Sequence, residues 1–156
     1  MVAGRDHGLR SELEALAAAR GISDHIQFLG EYADIPRLLA AADFGLLTSR
    51  EEGFSNVILE GMSAGLPMIV TDVGGNPEAV RDGETSCVVP PCNPKAIGDA
   101  ILRLANDPEL RRRLGAAAQK RVEEEFSIER CVGAHAELYR ELLDGTRMGG
   151  IGIAAE

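Results

Sequence analysis

Positive charge is scarce in this chain: 16 lysines and arginines stand against 25 aspartates and glutamates, a formal net charge of −9 over 156 residues. A nucleic-acid backbone or an anionic membrane would be repelled at long range, so neither is expected as a partner. Cysteine is sparse as well. Cys87, Cys92 and Cys131 form no C-x-x-C pair, and His7, His25 and His135 are scattered along the chain, so no metal site is expected. An odd number of thiols suits a reducing compartment better than a disulfide framework. No apolar run approaches membrane-spanning length, and residues 1–10 carry charges where a signal peptide would need apolar side chains. The chain reads as cytoplasmic, free or peripheral to the inner face of the membrane. Internal repeats and low-complexity linkers are also absent.

What is present is a composition of 45% hydrophobic and 26% charged residues, ordinary for one soluble domain burying roughly two-thirds of its unfolded surface. Short apolar runs alternate with helical periodicity from end to end, the pattern of an α/β, Rossmann-like parallel sheet flanked by helices. Met1-Val2-Ala3 has the look of a strand's end. Leu9, Leu13 and Leu16 recur at i, i+4 and i+7, predicting an amphipathic helix over residues 9–20 closed by Gly21. Residues 26–29 form the next strand, Asp34 caps a helix bearing Leu38 and Leu39, and residues 44–47 read as a buried strand. Ser55 is placed to cap a helix ending near Gly65, with Pro67 behind it. Residues 68–71 are a strand, Gly74-Gly75-Asn76-Pro77 opens a short helix at Glu78, and residues 87–89 are a last strand. Three helices follow, marked by Ile97, Ile101 and Leu104, by Leu110, Leu114 and Val122, and by Ile128, Val132, Tyr139 and Leu142. The expectation is one sheet of five parallel strands in a domain over residues 1–144, with the Gly-rich residues 145–156 as a flexible tail.

Ligands of an open α/β sheet sit outside the carboxyl ends of its strands, which directs attention to the loops there. The loop into the Ser55 helix is the most informative: Glu52-Gly53-Phe54-Ser55-Asn56-Val57-Ile58-Leu59-Glu60 places one carboxylate in the loop and another eight residues on, inside the helix. Gly53 lets the backbone come close to a ligand. The N–H groups of Asn56, Val57 and Ile58, with the positive end of the helix dipole behind them, make a cradle for a diphosphate. Helical side chains lean toward the N-terminus, so Glu60 can reach back along the groove while Glu52 reaches the ligand from the other side. Carboxylates accept hydrogen bonds from paired sugar hydroxyls, so the spacing suits a diphosphate flanked by two polyols: a nucleotide sugar.

Glu-x7-Glu in that setting resembles the signature of the group 1, GT4-type retaining glycosyltransferases. The flanks agree: residues 26–30, 42–47, 74–78 and 81–85, and the stretch from Phe126-Ser127 onward. The similarity covers nearly the whole chain, from Val2 to about Leu143. It implies the C-terminal, donor-binding half of a two-domain GT-B fold, with an NDP-sugar as substrate and no metal or cofactor. Glu52 would contact hydroxyls of the donor sugar and stabilise charge at its anomeric carbon, acting as the catalytic residue. Glu60 would hold the ribose hydroxyls, the amides around Ser55, Asn56 and Val57 would hold the diphosphate, and Gly53 and Phe54 would also belong to the donor site. Phe28, Gly30 and Glu31 would line the base, and Glu78 is a weaker candidate near the donor loop.

The departures matter equally. The family usually shows a strand, a glycine, then an arginine and a lysine that neutralise the diphosphate, and this sequence opens on the strand after them; Ser86 stands where glycine is usual. Losing two charge-assisted contacts would weaken donor binding by on the order of 3 kcal/mol, roughly a hundredfold. The first strand and helix of the domain are then missing, and the N-terminal domain that completes transfer has to come in cis or from another chain. The absent strand belongs between Val2 and Phe44, so the flanking strands should either close the gap or recruit a strand, a route to a homo-oligomer. Two other functions fit the fold less well: a non-enzymatic truncated paralogue acting as an interaction module, and a UDP-sugar 2-epimerase-like isomerase, whose motifs do not match the Glu52 region. Residues 4–8 lack G-x-G-x-x-G spacing, so a dinucleotide is not expected. Arg111-Arg112-Arg113 reads as a solvated helix edge, His135 as structural, and Phe126 and Tyr139 as packing residues.

Overall fold

A computed structural model describes residues 1–144; the tail expected over residues 145–156 lies outside the described residues. The chain divides into two compact units, Met1–Leu38 and the remainder from Leu39. The α/β class holds, with every strand pairing parallel.

In the first unit, β1 (Val2–Ala3) pairs with β2 (Phe28–Gly30), with a register irregularity that sets Val2 against Phe28 but Ala3 against Gly30. Between them runs α1 (Arg10–Ala19). Its start is held by Asp6, whose carboxylate accepts from the backbone N–H of Gly8 at 2.8 Å and of Arg10 at 3.2 Å. Those amides, Gly8 first, hold the Asp6 carboxyl below its ordinary value. The helix ends at Gly21 in the left-handed region, as its position after the last apolar repeat predicts. The Leu9, Leu13 and Leu16 stripe is not a core face, however. All three are exposed, and Ala17 is the residue of α1 that is buried. A unit with two short strands has too little surface to bury such a stripe.

The second unit holds α2 (Ile35–Ala40) in part, then β3 (Gly45–Leu47), α3 (Asn56–Ser63), β4 (Met68–Thr71), α4 (Asn76–Ala79), β5 (Ser86–Val89), α5 (Pro94–Asn106), α6 (Pro108–Glu125) and α7 (Ile128–Leu143). Asp34 caps α2 as expected, accepting from Arg37 N–H at 3.1 Å. The sheet order is β3-β4-β5, and β4 is buried throughout. Its side chains alternate as a strand must. Met68 and Val70 pack with Ile58 and Met62 of α3 and with Ala118 and Val122 of α6. Ile69 packs on the opposite face with Ala100 and Leu104 of α5 and with Leu110 and Leu114 of α6. One helix thus serves both faces, its first half covering one and its second half the other.

Several expectations need correction. The five strands form a two-stranded sheet, β1-β2, and a three-stranded sheet, β3-β4-β5, rather than one sheet. β3 is less buried than its apolar sequence implies, with Leu46 exposed, because as an edge strand it has a neighbour on one side only. Two members of the arginine run are structural. Arg111 donates to the carbonyls of Leu104 and Ala105 at the end of α5, and Arg113 to that of Gly83, satisfying acceptors left free by a helix end and a turn. Arg112 does pair at the surface, with Glu109. α7 buries none of its residues: Ile128, Val132 and Tyr139 are exposed, so Tyr139 does not pack as expected. His135 is exposed too, its Nδ1 donating to the Cys131 carbonyl at 2.8 Å. No described helix is long and apolar enough to cross a membrane.

Candidate functional site

Helix α3 presents two faces. Ile58, Gly61 and Met62 are buried against the sheet, while Asn56, Val57 and Glu60 are exposed. Glu60 follows Asn56 by four residues and Val57 by three, so its side chain rises from the same strip of surface and leans toward the helix start. The start itself is open. Ser55 has the extended backbone of an N-cap, yet its side chain makes no capping hydrogen bond, contrary to the sequence reading. Of the three amides expected to face a ligand, that of Ile58 is occupied by the Ser55 carbonyl at 3.2 Å. The chain turns tightly there, which leaves Asn56 and Val57 as the amides suited to an anion.

The loop ahead of α3 is held on two sides. Thr71, buried at the carboxyl end of β4, donates its hydroxyl to the Ser49 carbonyl at 2.7 Å. The Ser49 hydroxyl in turn donates to a Glu52 carboxylate oxygen at 2.7 Å. The acid is thereby tied, through one serine, to the central strand, and its half-buried carboxylate keeps further lone pairs for a ligand's hydroxyls.

On the other side lies the turn into α4. Gly75 N–H donates to the Gly53 carbonyl at 2.5 Å. A Cβ at Gly74 would overlap the Glu52 carbonyl oxygen, and one at Gly75 would come within 2.5 Å of the Gly53 oxygen. Two adjacent glycines are therefore required for two loops to touch backbone to backbone, and Gly74 also adopts φ +51. The Phe54 ring rests against Phe126, with centroids 5.7 Å apart. Asn76, fully buried behind this turn, donates to the Thr71 carbonyl at 3.1 Å.

Glu52, Gly53, Phe54, Ser55, Asn56, Val57 and Glu60 are thus one loop and one helix face. Phe28, Gly30 and Glu31 belong to the first unit and form a group of their own. Arg10 lies 5.6 Å over the Phe28 ring, Glu31 pairs with Arg5, and Gly30 ends β2. Glu78 contributes its backbone carbonyl to Arg121. Sequence reasoning missed Ser49, Thr71 and Arg121. Thr71 and Arg121 act on residues distant in sequence, and Ser49, three residues from Glu52, stands in no recognisable pattern. Among the described residues no group of three or more His, Cys, Asp or Glu is disposed to hold a metal ion.

The sequence model of glycosyl transferases group 1 matches residues 1–121. The N-acetyl-alpha-D-glucosaminyl L-malate synthase of Bacillus anthracis is 35% identical over 130 residues, 83% of this chain and 34% of that protein. The D-inositol 3-phosphate glycosyltransferase of Streptomyces bingchenggensis is 38% identical over 140 residues, 86% of this chain and 30% of that one. Among solved structures, Anabaena HepE in complex with UDP-glucose superposes with a TM-score of 0.83 at 27% identity, covering 89% of this chain and 40% of its own. The C-terminal domain of the group 1 glycosyl transferase LpcC from Francisella tularensis gives a TM-score of 0.73 at 30% identity, covering 79% and 65%. The chain spans about a third of the length of the curated relatives it matches. With most of its residues matched by the family and its fold shared with GT-B glycosyltransferases, the chain belongs to the glycosyl transferases of group 1.

Proposed function

We propose that this chain binds the donor of a retaining glycosyltransferase, an NDP-sugar, and that transfer needs the rest of such an enzyme, in cis or from a partner. The observation that carries the reading is the face of α3: an uncapped helix start with Asn56 and Val57 exposed, and Glu60 on the same strip of surface. The diphosphate rests on the Asn56 and Val57 amides, where the helix dipole favours negative charge. Glu60 accepts from the ribose hydroxyls. Glu52, held by Ser49, accepts from hydroxyls of the donor sugar and stabilises positive charge growing at the anomeric carbon as the diphosphate leaves. The protein works in the cytoplasm without a metal or other cofactor.

UDP, GDP and ADP titrated calorimetrically test this reading. One of them should bind. The exposed apolar residues of α1 and α7 favour a second reading, an interaction module, which predicts that none of the three binds.

A further inference from the structure

Arg121 lies near the end of α6, and its side chain is only 11% exposed. Each of its three side-chain nitrogens donates. Nε donates to the Ala79 carbonyl at 2.9 Å, Nη2 to the Glu78 carbonyl at 3.0 Å, and Nη1 to the Glu125 carboxylate at 2.8 Å. Its guanidinium lies 5.5 Å from the centroid of the Phe126 ring. The two carbonyls it meets belong to α4, a helix of four residues with no side-chain cap at its N-terminus. So short a helix cannot stand by itself, and its terminal carbonyls have no partners within it. A cation forked across those carbonyls supplies the missing bonds and opposes the negative end of the helix.

What α4 supports is the Gly74-Gly75 turn, and that turn holds the Gly53 carbonyl. What Phe126 supports is Phe54. Both contacts on the α4 side of the loop carrying Glu52 therefore pass through one guanidinium, while Ser49 and Thr71 hold its other side. We propose that Arg121 is a positioning residue of the donor site: it touches none of the residues assigned to the donor, and it fixes where Gly53 and Phe54 lie and hence where the Glu52 carboxylate is presented. The inference rests on the donor-site reading given above. Lysine does not replace it, because a single ammonium nitrogen lacks the planar fork by which three nitrogens of Arg121 reach Ala79, Glu78 and Glu125 at once.

Glu60 is anchored by α3 itself, so loss of Arg121 affects the sugar end of the ligand more than the ribose end. That asymmetry separates positioning from general stability. In the ligand-free chain, Arg121→Gln should raise amide exchange at Gly75 and residues 52–54 about tenfold or more while β4 and β5 stay within about twofold. In calorimetry, with whichever of UDP-glucose, GDP-mannose or ADP-glucose the unaltered chain binds, Arg121→Gln should lose several-fold preference for the nucleotide sugar over the matching diphosphate. Arg121→Lys should behave as the Gln variant does. Should Arg121→Gln fail to fold, Phe126→Leu removes the ring while keeping apolar volume, and the same local loosening at residues 52–54 is expected. Unchanged exchange at Gly75, a uniform rise across β4 and β5, or full rescue by lysine would each overturn the inference. Failure of the unaltered chain to bind any of the three nucleotide sugars would instead overturn the donor-site reading, leaving the exchange result to decide what Arg121 holds.

Discussion

A methyl group at Gly74 would overlap the Glu52 carbonyl oxygen, whereas one at Gly53, on the other loop, would meet nothing within 4 Å. Gly74→Ala is therefore expected to cost about 2 kcal/mol or more in urea unfolding, from the clash and the left-handed backbone together, and Gly53→Ala less than about 0.5 kcal/mol. Equal losses would mean that the two loops do not touch as described. The three thiols differ in a comparable way. Cys87 is buried in the sheet, and burial pushes its thiol up, while Cys92 and Cys131 are exposed. Iodoacetamide at pH 8 should label Cys92 and Cys131 in the native chain and reach Cys87 only after denaturation. Residue identity alone carried the acidic pair, because Glu52 and Glu60 share one short contiguous segment with their flanks. It did not carry Thr71, Gly74 or Arg121, whose partners across the fold lie 21 to 43 positions away.

Helices α5 and α6 show what local sequence can specify. Asn93 and Asp107 each precede a proline, and each accepts from the amide three residues on, at 3.0 and 2.9 Å. Asp107→Ala should cost about 1 kcal/mol in thermal unfolding. Ser55→Ala should cost clearly less, since Ser55 occupies the same position at α3 without making the bond. In the donor-site reading proposed above, the uncapped start leaves the Asn56 and Val57 amides for a ligand. Asp6 at α1 gives a pH-dependent counterpart. Its carboxyl is held below the ordinary value of 3.8 by the Gly8 and Arg10 amides, so the cap is in place above that pH and is lost as pH falls through the lowered value. The Gly8 amide resonance should move over that acid range and stay fixed at higher pH. Periodicity also located α1 and α7, but a stripe of leucines states only that a helix has an apolar side. Nothing local states what covers it, which is why Leu13 and Tyr139 are exposed where packing is expected.

At the scale of the whole molecule, the alternation of short apolar runs and helical repeats was enough for the α/β class and for the parallel pairing of β3, β4 and β5. The number of sheets was not legible, because strand neighbours are set by backbone pairing between distant segments and each strand here is only two to four residues long. Each unit keeps its own strands, and the chain spans about a third of the relatives it matches. In the donor-site reading, the exposed face of α3 grips a nucleotide sugar. UDP, GDP and ADP titrated calorimetrically into the chain and into its Glu60→Ala variant test this. One diphosphate should bind the unaltered chain and bind Glu60→Ala about tenfold or more weakly, the loss of charge-assisted hydrogen bonds to the ribose. A diphosphate bound equally well by both would contradict it.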